Sequence, residues 1–257
     1  MDEQLVKRLI AINQKFYSEF AHAFSETRSS AQTRLDRIVA YIGNDVKVLD
    51  VGCVNGRLAE RLEKEGRRVR YVGVDASPEL IAIASARAAR LHKVAAEFRV
   101  ADITQQGWSA SLAGVMPFDI AIMLAVLHHV PSFDLRGAVL RNIHALLRPG
   151  GELIMTNWHF ERNERLRKKV VPWQTVGIDP RDLESCDALL TWERGGVGYR
   201  YCHLITKVEV RRMAEQSGFE VVEQFYADAD LNLYSVFECS WVGVKVLRIG
   251  CFRGGIE

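Results

Sequence analysis

The stretch FDIAIMLAVLHHV (118–130) carries a single early charge, Asp119, and then eight consecutive apolar residues from Ile120 to Leu127. A strand with no polar alternation has no face to offer to water. It must lie inside a sheet that is covered on both sides, which in practice means a parallel sheet with helices above and below. The flanking sequence supplies such neighbours. Short apolar runs at DVKVLDVG (45–52), VRYVGVDAS (69–77), AEFRVADI (96–103) and GELIMTNW (151–158) read as strands. Helical patterns at 57–65, 79–92 and 135–147 separate them. Pro78 stands where a helix starts, RPGG (148–151) breaks the chain, and Gly218 follows a helix over 207–217 as its C-terminal glycine. FEVVEQFYA (219–227) and LYSVFECSWV (233–242) have no helix between them, so they are expected to pair antiparallel.

The length of 257 residues suits one substantial core. Lys plus Arg number 34 against 32 Asp plus Glu, so a partner held by bulk positive charge is disfavoured. Five cysteines without a Cys-x-x-Cys pair argue against a disulfide framework or a zinc site and suit a reducing compartment. The start MDEQLVKRLI lacks the apolar core of a secretion signal, and no run reaches the length of a membrane span. A cytoplasmic globular protein without a bound metal is the expectation.

In an open parallel sheet, ligands bind beyond the carboxyl ends of the strands. Gly52, Asp75, Asp102 and His128 all fall at such ends in this reading. The turn DVGCVNG (50–56) lets backbone approach a ligand closely, and an acid at the end of the next strand, Asp75, suits ribose hydroxyls. Asp102 is placed to meet an adenine amino group. Leu5, Leu9, Ile12, Phe16 and Phe20 form one helical stripe, read as a helix over 1–33 that either packs on the main domain or covers its site.

The ordered set VLDVGCVNG, VGVDAS, VADI, FDIAIMLAVLHHV and LLRPGGELIM resembles the class I S-adenosylmethionine-dependent methyltransferases. The resemblance implies a Rossmann-like α/β fold, a mostly parallel doubly wound sheet with an antiparallel C-terminal strand, over 34–257. It implies S-adenosylmethionine as cofactor. Gly52, Cys53 and Gly56 would flank its methionine part, Asp50 would orient the loop or the ammonium, and Asp75 with Ala76 would hold the ribose. Asp102 and Ile103 would border adenine, and Leu124 would lie near the reacting methyl. Val54 departs from the family's small residue in the loop. A β-branched side chain takes positive φ at a cost, so a slightly shifted loop is expected there.

Between the fifth strand and the helix at 207, residues 159–207 exceed what this fold needs and read as a substrate-recognition insertion. FSETR (24–28), HHV (128–130), VPW (171–173) and YRYCHL (199–204) resemble the tRNA wobble-uridine methyltransferases, which methylate the carboxylate of 5-carboxymethyluridine. Cys202 replaces a tyrosine of that pattern, and the aromatic C-terminal strand is weaker. The resemblance implies Arg28, Arg200 and His203 as catalytic residues holding the carboxylate. It implies Trp173, Tyr199, Tyr201 and His128 around a splayed base, with Arg165, Arg167, Lys168 and Lys169 on phosphates. It further implies tRNA and a small zinc-binding activator subunit as partners. A carboxylate is ionised at neutral pH, with a pKa of about 4, so such a reaction needs alignment rather than a base. The insertion holds nine Lys/Arg and seven Asp/Glu, which suits equally a small-molecule O-methyltransferase acting on a carboxylic acid or phenol. A non-catalytic protein that keeps the fold is the third reading.

Overall fold

The computed structural model describes residues 1–26 and 32–240. Its elements in chain order begin with α1 (Glu3–Glu26), α2 (Gln32–Val39), β1 (Val46–Val51), α3 (Arg57–Lys64), β2 (Val69–Asp75), α4 (Pro78–Ala88) and β3 (Val94–Val100). They continue with β4 (Phe118–Leu124), α5 (Phe133–Leu146), β5 (Leu147–Trp158), α6 (Glu164–Arg167), β6 (Val170–Val171), β7 (Asp187–Trp192) and β8 (Gly198–His203). The last are α7 (Lys207–Ser217), β9 (Phe219–Ala227) and β10 (Asn232–Cys239).

Seven strands form one sheet in the order β3-β2-β1-β4-β5-β10-β9. β1 to β5 run parallel, and β10 pairs antiparallel with both β5 and β9. The expected fold class is therefore the observed one. The strand order reverses between β1 and β4, which makes that junction the switch point where a ligand crevice opens.

The apolar run of β4 is explained by its two faces. Ile120 and Ile122 join Val48, Ile154, Ile38, Ile42, Leu58 and Leu62 under α2 and α3. Ala121 and Met123 join Leu49, Leu153, Leu140, Ile143, Val210 and Met213 under α5 and α7. Each such large side chain removed from water contributes roughly 1.5–3 kcal/mol. Local signals place the helix ends. Ser77 Oγ accepts from the Leu80 amide with Pro78 behind it, and Thr206 Oγ accepts from the Glu209 amide. Gly218 closes α7 at φ 81°.

Two boundaries differ from the sequence reading. β4 ends at Leu124, not at 130, because Ala125 turns to φ 58° and residues Leu127–His129 form a short 3-10 turn. That turn is itself buried, so hydrophobicity alone does not mark the strand end. β3 ends at Val100, so Asp102 lies in the turn after it.

The insertion builds its own small antiparallel sheet, β6-β7-β8, which the sequence reading does not anticipate. A buried charge cluster joins it to the core. Arg136 of α5, 1% exposed, donates to Glu184 at 2.6 Å, to Glu209 of α7 at 2.9 Å and to the Val130 carbonyl at 3.2 Å. His203 of β8 bonds Asp187 at 2.7 Å and Glu209 at 3.0 Å. Removing one member of a buried ion pair strands the rest, at about 3–5 kcal/mol. Arg136→Ala should therefore lower the unfolding free energy by about that amount, read by urea denaturation, whereas the surface pair Arg68–Asp45 broken by Arg68→Ala should cost under about 1 kcal/mol.

Candidate functional site

The carboxyl ends of β1, β2 and β4 and the turn after β3 enclose a cleft of about 640 Å³ open to solvent. Its floor is the turn after β1. Gly52 stands at φ 74°, and a Cβ added there would meet Val126 Cγ2 at 2.3 Å. The amides of Gly52 and Cys53 both donate to the Val74 carbonyl, at 2.8 and 3.0 Å, which ties the turn to β2. Val54 takes φ 53°, a conformation that strains a β-branched residue by about 1–3 kcal/mol. Its amide donates to Asp75 Oδ2 at 3.0 Å, and its side chain packs beside Phe16, Phe20 and Trp192. Ala125, the other residue of the cleft wall with positive φ and a side chain, is fixed by two bonds from its amide, to the Thr156 carbonyl and Oγ1.

Asp75 accepts from both Val54 and Ser77, the latter also at 3.0 Å. Burial raises its pKa, and the backbone amides oppose that rise. Asp102 borders the far end. One of its oxygens is 3.0 Å from Gln14 Nε2 of α1, and the other takes the amide and hydroxyl of Thr104 at 2.9 and 2.7 Å.

Helix α1 roofs the cleft. Tyr17 contributes to the wall. Asn13, within the apolar stripe, is 7% exposed and donates to the carbonyls of His129 (3.0 Å) and Tyr201 (3.2 Å). Its Oδ1 accepts from the Tyr201 amide at 2.9 Å. Gln14, on the outer side, reaches Asp102. The polar break that Asn13 makes in the stripe is the sequence signal that marks this clamp.

Of the residues expected at the cofactor, Gly52, Asp75, Ala76, Asp102, Ile103 and Leu124 line the cleft. Asp50, Cys53 and Gly56 do not. Asp50 is 4% exposed and accepts from the Tyr71 hydroxyl, with its pKa pushed up to about 7 by burial. Cys53 is buried and burial pushes its thiol up. Gly56 begins α3 at φ 76°, where a Cβ would meet Phe98 at 2.9 Å, so its role is packing. Sequence reasoning missed Tyr17 and Val126 of the wall.

Of the residues expected at the acceptor, most face elsewhere. His128 is fully buried and its Nδ1 accepts from the Trp158 amide at 3.4 Å; its neighbour His129 takes the place in the wall. Trp173 and Tyr201 pack with Leu5, Leu9 and Leu189 under α1, Tyr199 lies against the same cluster, and the Tyr201 hydroxyl donates to Asp187 at 2.8 Å. His203 belongs to the Arg136 cluster. Arg28 lies outside the described residues. Arg200 alone points toward the cleft side, caged by Phe16, Trp158 and Trp192.

The residues present suit S-adenosylmethionine. The Gly52 turn packs so closely on Val126 that no side chain fits there, which lets backbone form the cleft floor; carboxylates at adjacent strand ends offer acceptors to ribose hydroxyls and to an adenine amine, and Leu80 and Ile103 supply apolar walls. Comparison with known proteins agrees. A family profile described as "Methyltransferase domain" matches residues 21–224. The ubiquinone biosynthesis O-methyltransferase of Pseudomonas aeruginosa is 35% identical over 112 residues, 43% of each chain. The match thus spans under half the length of that relative. Among solved structures, the 1,6-didemethyltoxoflavin-N1-methyltransferase of Burkholderia thailandensis, with its substrate and S-adenosylhomocysteine bound, aligns with a TM-score of 0.55 at 20% identity over 92% of this chain and 87% of that one. A methyltransferase bound to the Trm112 activator of Haloferax volcanii aligns with a TM-score of 0.61 at 17% identity, over 91% of this chain and all of the other. These structural likenesses are of fold. The chain belongs to the methyltransferase-domain family, whose cofactor is S-adenosylmethionine.

His203 gives this site's surroundings a pH signature. Burial pushes its ring pKa down, but the hydrogen bonds to Asp187 and Glu209 outweigh burial, so it lies above the usual 6.5. A raised folded pKa contributes stability that is complete below about pH 6.5 and is lost as pH rises through the folded value. Thermal melts should fall across that window in the wild type and stay flatter in His203→Gln, with no matching change in cofactor affinity.

Proposed function

We propose that this chain transfers the methyl group of S-adenosylmethionine to an oxygen of a small acceptor enclosed beneath α1, in a reducing cytoplasm that suits its free thiols. The observation that carries this reading is the roof itself: α1 supplies Tyr17 to the cleft wall, Gln14 to Asp102 and the Asn13 clamp to His129 and Tyr201. A cleft covered on that side suits a small molecule. Residues 1–33 act as the lid, and the insertion 159–207 shapes the acceptor side. The relatedness to ubiquinone biosynthesis O-methyltransferases over the cofactor half supports oxygen as the acceptor atom.

The bound cofactor supplies an electrophilic methyl on a sulfonium. The chain's residues bind and orient. Asp75 accepts from ribose hydroxyls, Asp102 exchanges Gln14 for the adenine amine, and Ile103 and Leu80 pack on the base. Leu124 and Val126 face the transferred carbon, and Tyr17 and His129 close the acceptor side. Positioning of this kind is the main contribution where the acceptor oxygen arrives ionised, as a carboxylate does at neutral pH; a hydroxyl acceptor must also give up its proton.

The wobble-uridine reading, with tRNA and an activator subunit, demands more of the same structure. A splayed anticodon base reaches the cleft only if α1 swings away. The near balance of charge in the insertion gives phosphates little hold. Retention of tRNA at physiological salt would favour that reading over the small acceptor.

Calorimetric titration with S-adenosylmethionine and S-adenosylhomocysteine tests the proposal: micromolar binding of both is expected. Asp75→Ala removes an acceptor of charged hydrogen bonds worth about 1.5–3 kcal/mol each, so affinity should fall at least about tenfold to a hundredfold while the far-ultraviolet dichroism is kept. Unchanged affinity in that variant would sink the placement of the cofactor.

A further inference from the structure

Two arginines are buried among the described residues, and they are treated differently. Arg136 is neutralised by Glu184 and Glu209. Arg200, on β8 and 3% exposed, has no such partner. Its Nε is sealed from solvent without an acceptor, and among the described residues its side chain makes no hydrogen bond and no ion pair. What surrounds it is aromatic. The guanidinium carbon lies 4.8 Å from the ring centre of Phe16, 4.9 Å from Trp158 and 5.4 Å from Trp192. Ring faces attract a cation and orient it, but they do not replace the hydrogen bond that its Nε–H lost with water.

The cage adjoins the cleft through two sets of contacts. Phe16 and Trp192 cluster with Tyr17 and Val54, both of which line the cleft. Trp158 packs edge-on against His129, also of the cleft wall, with ring centres 5.3 Å apart. The alternation of β8 accounts for the aim: Arg200 and Cys202 face Trp158 and the cleft side, whereas Tyr201 turns to Leu5, Leu9 and Trp173. Further positive charge gathers on the same ring. Lys169 Nζ lies 5.7 Å from the Trp192 centre. Burial, with the charges of Arg200 and Arg165, depresses its pKa, Arg194 adds to this, and Glu193 is the acid that opposes it.

We propose that Arg200 is the anion-binding residue of the acceptor subsite, so that the methyl acceptor carries an oxyacid group, carboxylate or phosphate, which docks on the Arg200 fork between Phe16 and Trp192. This rests on the reading of the neighbouring cleft as the methyl-transfer site. The planar guanidinium matches the paired oxygens of either group. Phe16 belongs to α1, so the lid completes the anion site as well as the cleft. The inference narrows the acceptor from any small molecule to an anionic one. A cation held for structure alone would be paired, as Arg136 is.

The test uses the full chain and three probes of one shape: 4-hydroxybenzoate, phenyl phosphate and neutral 4-hydroxybenzyl alcohol, titrated with and without S-adenosylhomocysteine. At least one anion should bind about tenfold or more tightly than the neutral probe, and which anion does so identifies the group. Arg200→Met should abolish that preference and leave S-adenosylhomocysteine affinity within about twofold. Arg200→Lys, which keeps the charge and loses the fork, should retain part of it. Because Met removes an unpaired buried charge from an apolar cage, the Arg200→Met melting temperature should hold or rise. Equal binding of anions and alcohol, an anion preference that survives Arg200→Met, or a large fall in melting temperature would each overturn the proposal. Loss of S-adenosylhomocysteine binding in the wild type would instead sink the cofactor reading, and the titrations without it would still report on Arg200.

Discussion

One carboxylate organises the ligand end of this sheet. Asp75 ends β2 and accepts from two amides that belong to different segments, Val54 in the turn after β1 and Ser77 at the start of α4. Both bonds hold backbone in a shape the chain would not otherwise keep. Val54 is pinned at positive φ, and Ser77 is set so that its hydroxyl caps α4. Charge-assisted bonds of this kind offset a few kcal/mol of strain. The cost of withdrawing the carboxylate from water appears in its raised pKa. Loop, strand and helix therefore meet through a group that also lines the cleft.

Around that centre the molecule has two kinds of attachment. The insertion is joined to the core by full charge pairing at Arg136, Glu184, Glu209 and His203, deep between α5, α7 and β8. The roof helix is held by apolar contacts of Leu5 and Leu9 and by the neutral amide of Asn13. Neutral hydrogen bonds contribute about 1 kcal/mol each, against several for breaking a buried ion pair. The insertion is thus tied to the core by charge pairing, and α1 chiefly by the burial of Leu5, Leu9, Phe16 and Phe20.

Most of the fold was legible because its signals are local. The two-faced burial of β4, Pro78 and Gly218 at helix ends, and the missing helix before β10 all lie within one or two elements. Part of the cleft lining was legible for the same reason: Gly52, Asp75 and Asp102 lie at or just after strand ends, the side of a parallel sheet on which clefts open. The acceptor side was not. Tyr199, Tyr201 and His203 were grouped with Arg200 because they adjoin it in sequence, yet a strand sends neighbours to opposite faces. Applying that period to GYRYCH separates Arg200 and Cys202 from the others. His128 was preferred to His129 because the strand was extended through a turn that is equally apolar. Asp50 looks like a ligand residue, but its partner Tyr71 is 21 positions away and invisible to any local pattern.

The bond from Gln14 to Asp102 has a thermodynamic consequence. Whatever group takes that oxygen of Asp102 competes with the helix that roofs the cleft. Ligand entry is then linked to a small release of α1, and by reciprocity a state with α1 displaced holds that ligand group more tightly. Under the proposed reading, a nucleoside on Asp102 would loosen the cover at the Gln14 end, and an anion in the Arg200 cage would draw down the Phe16 end.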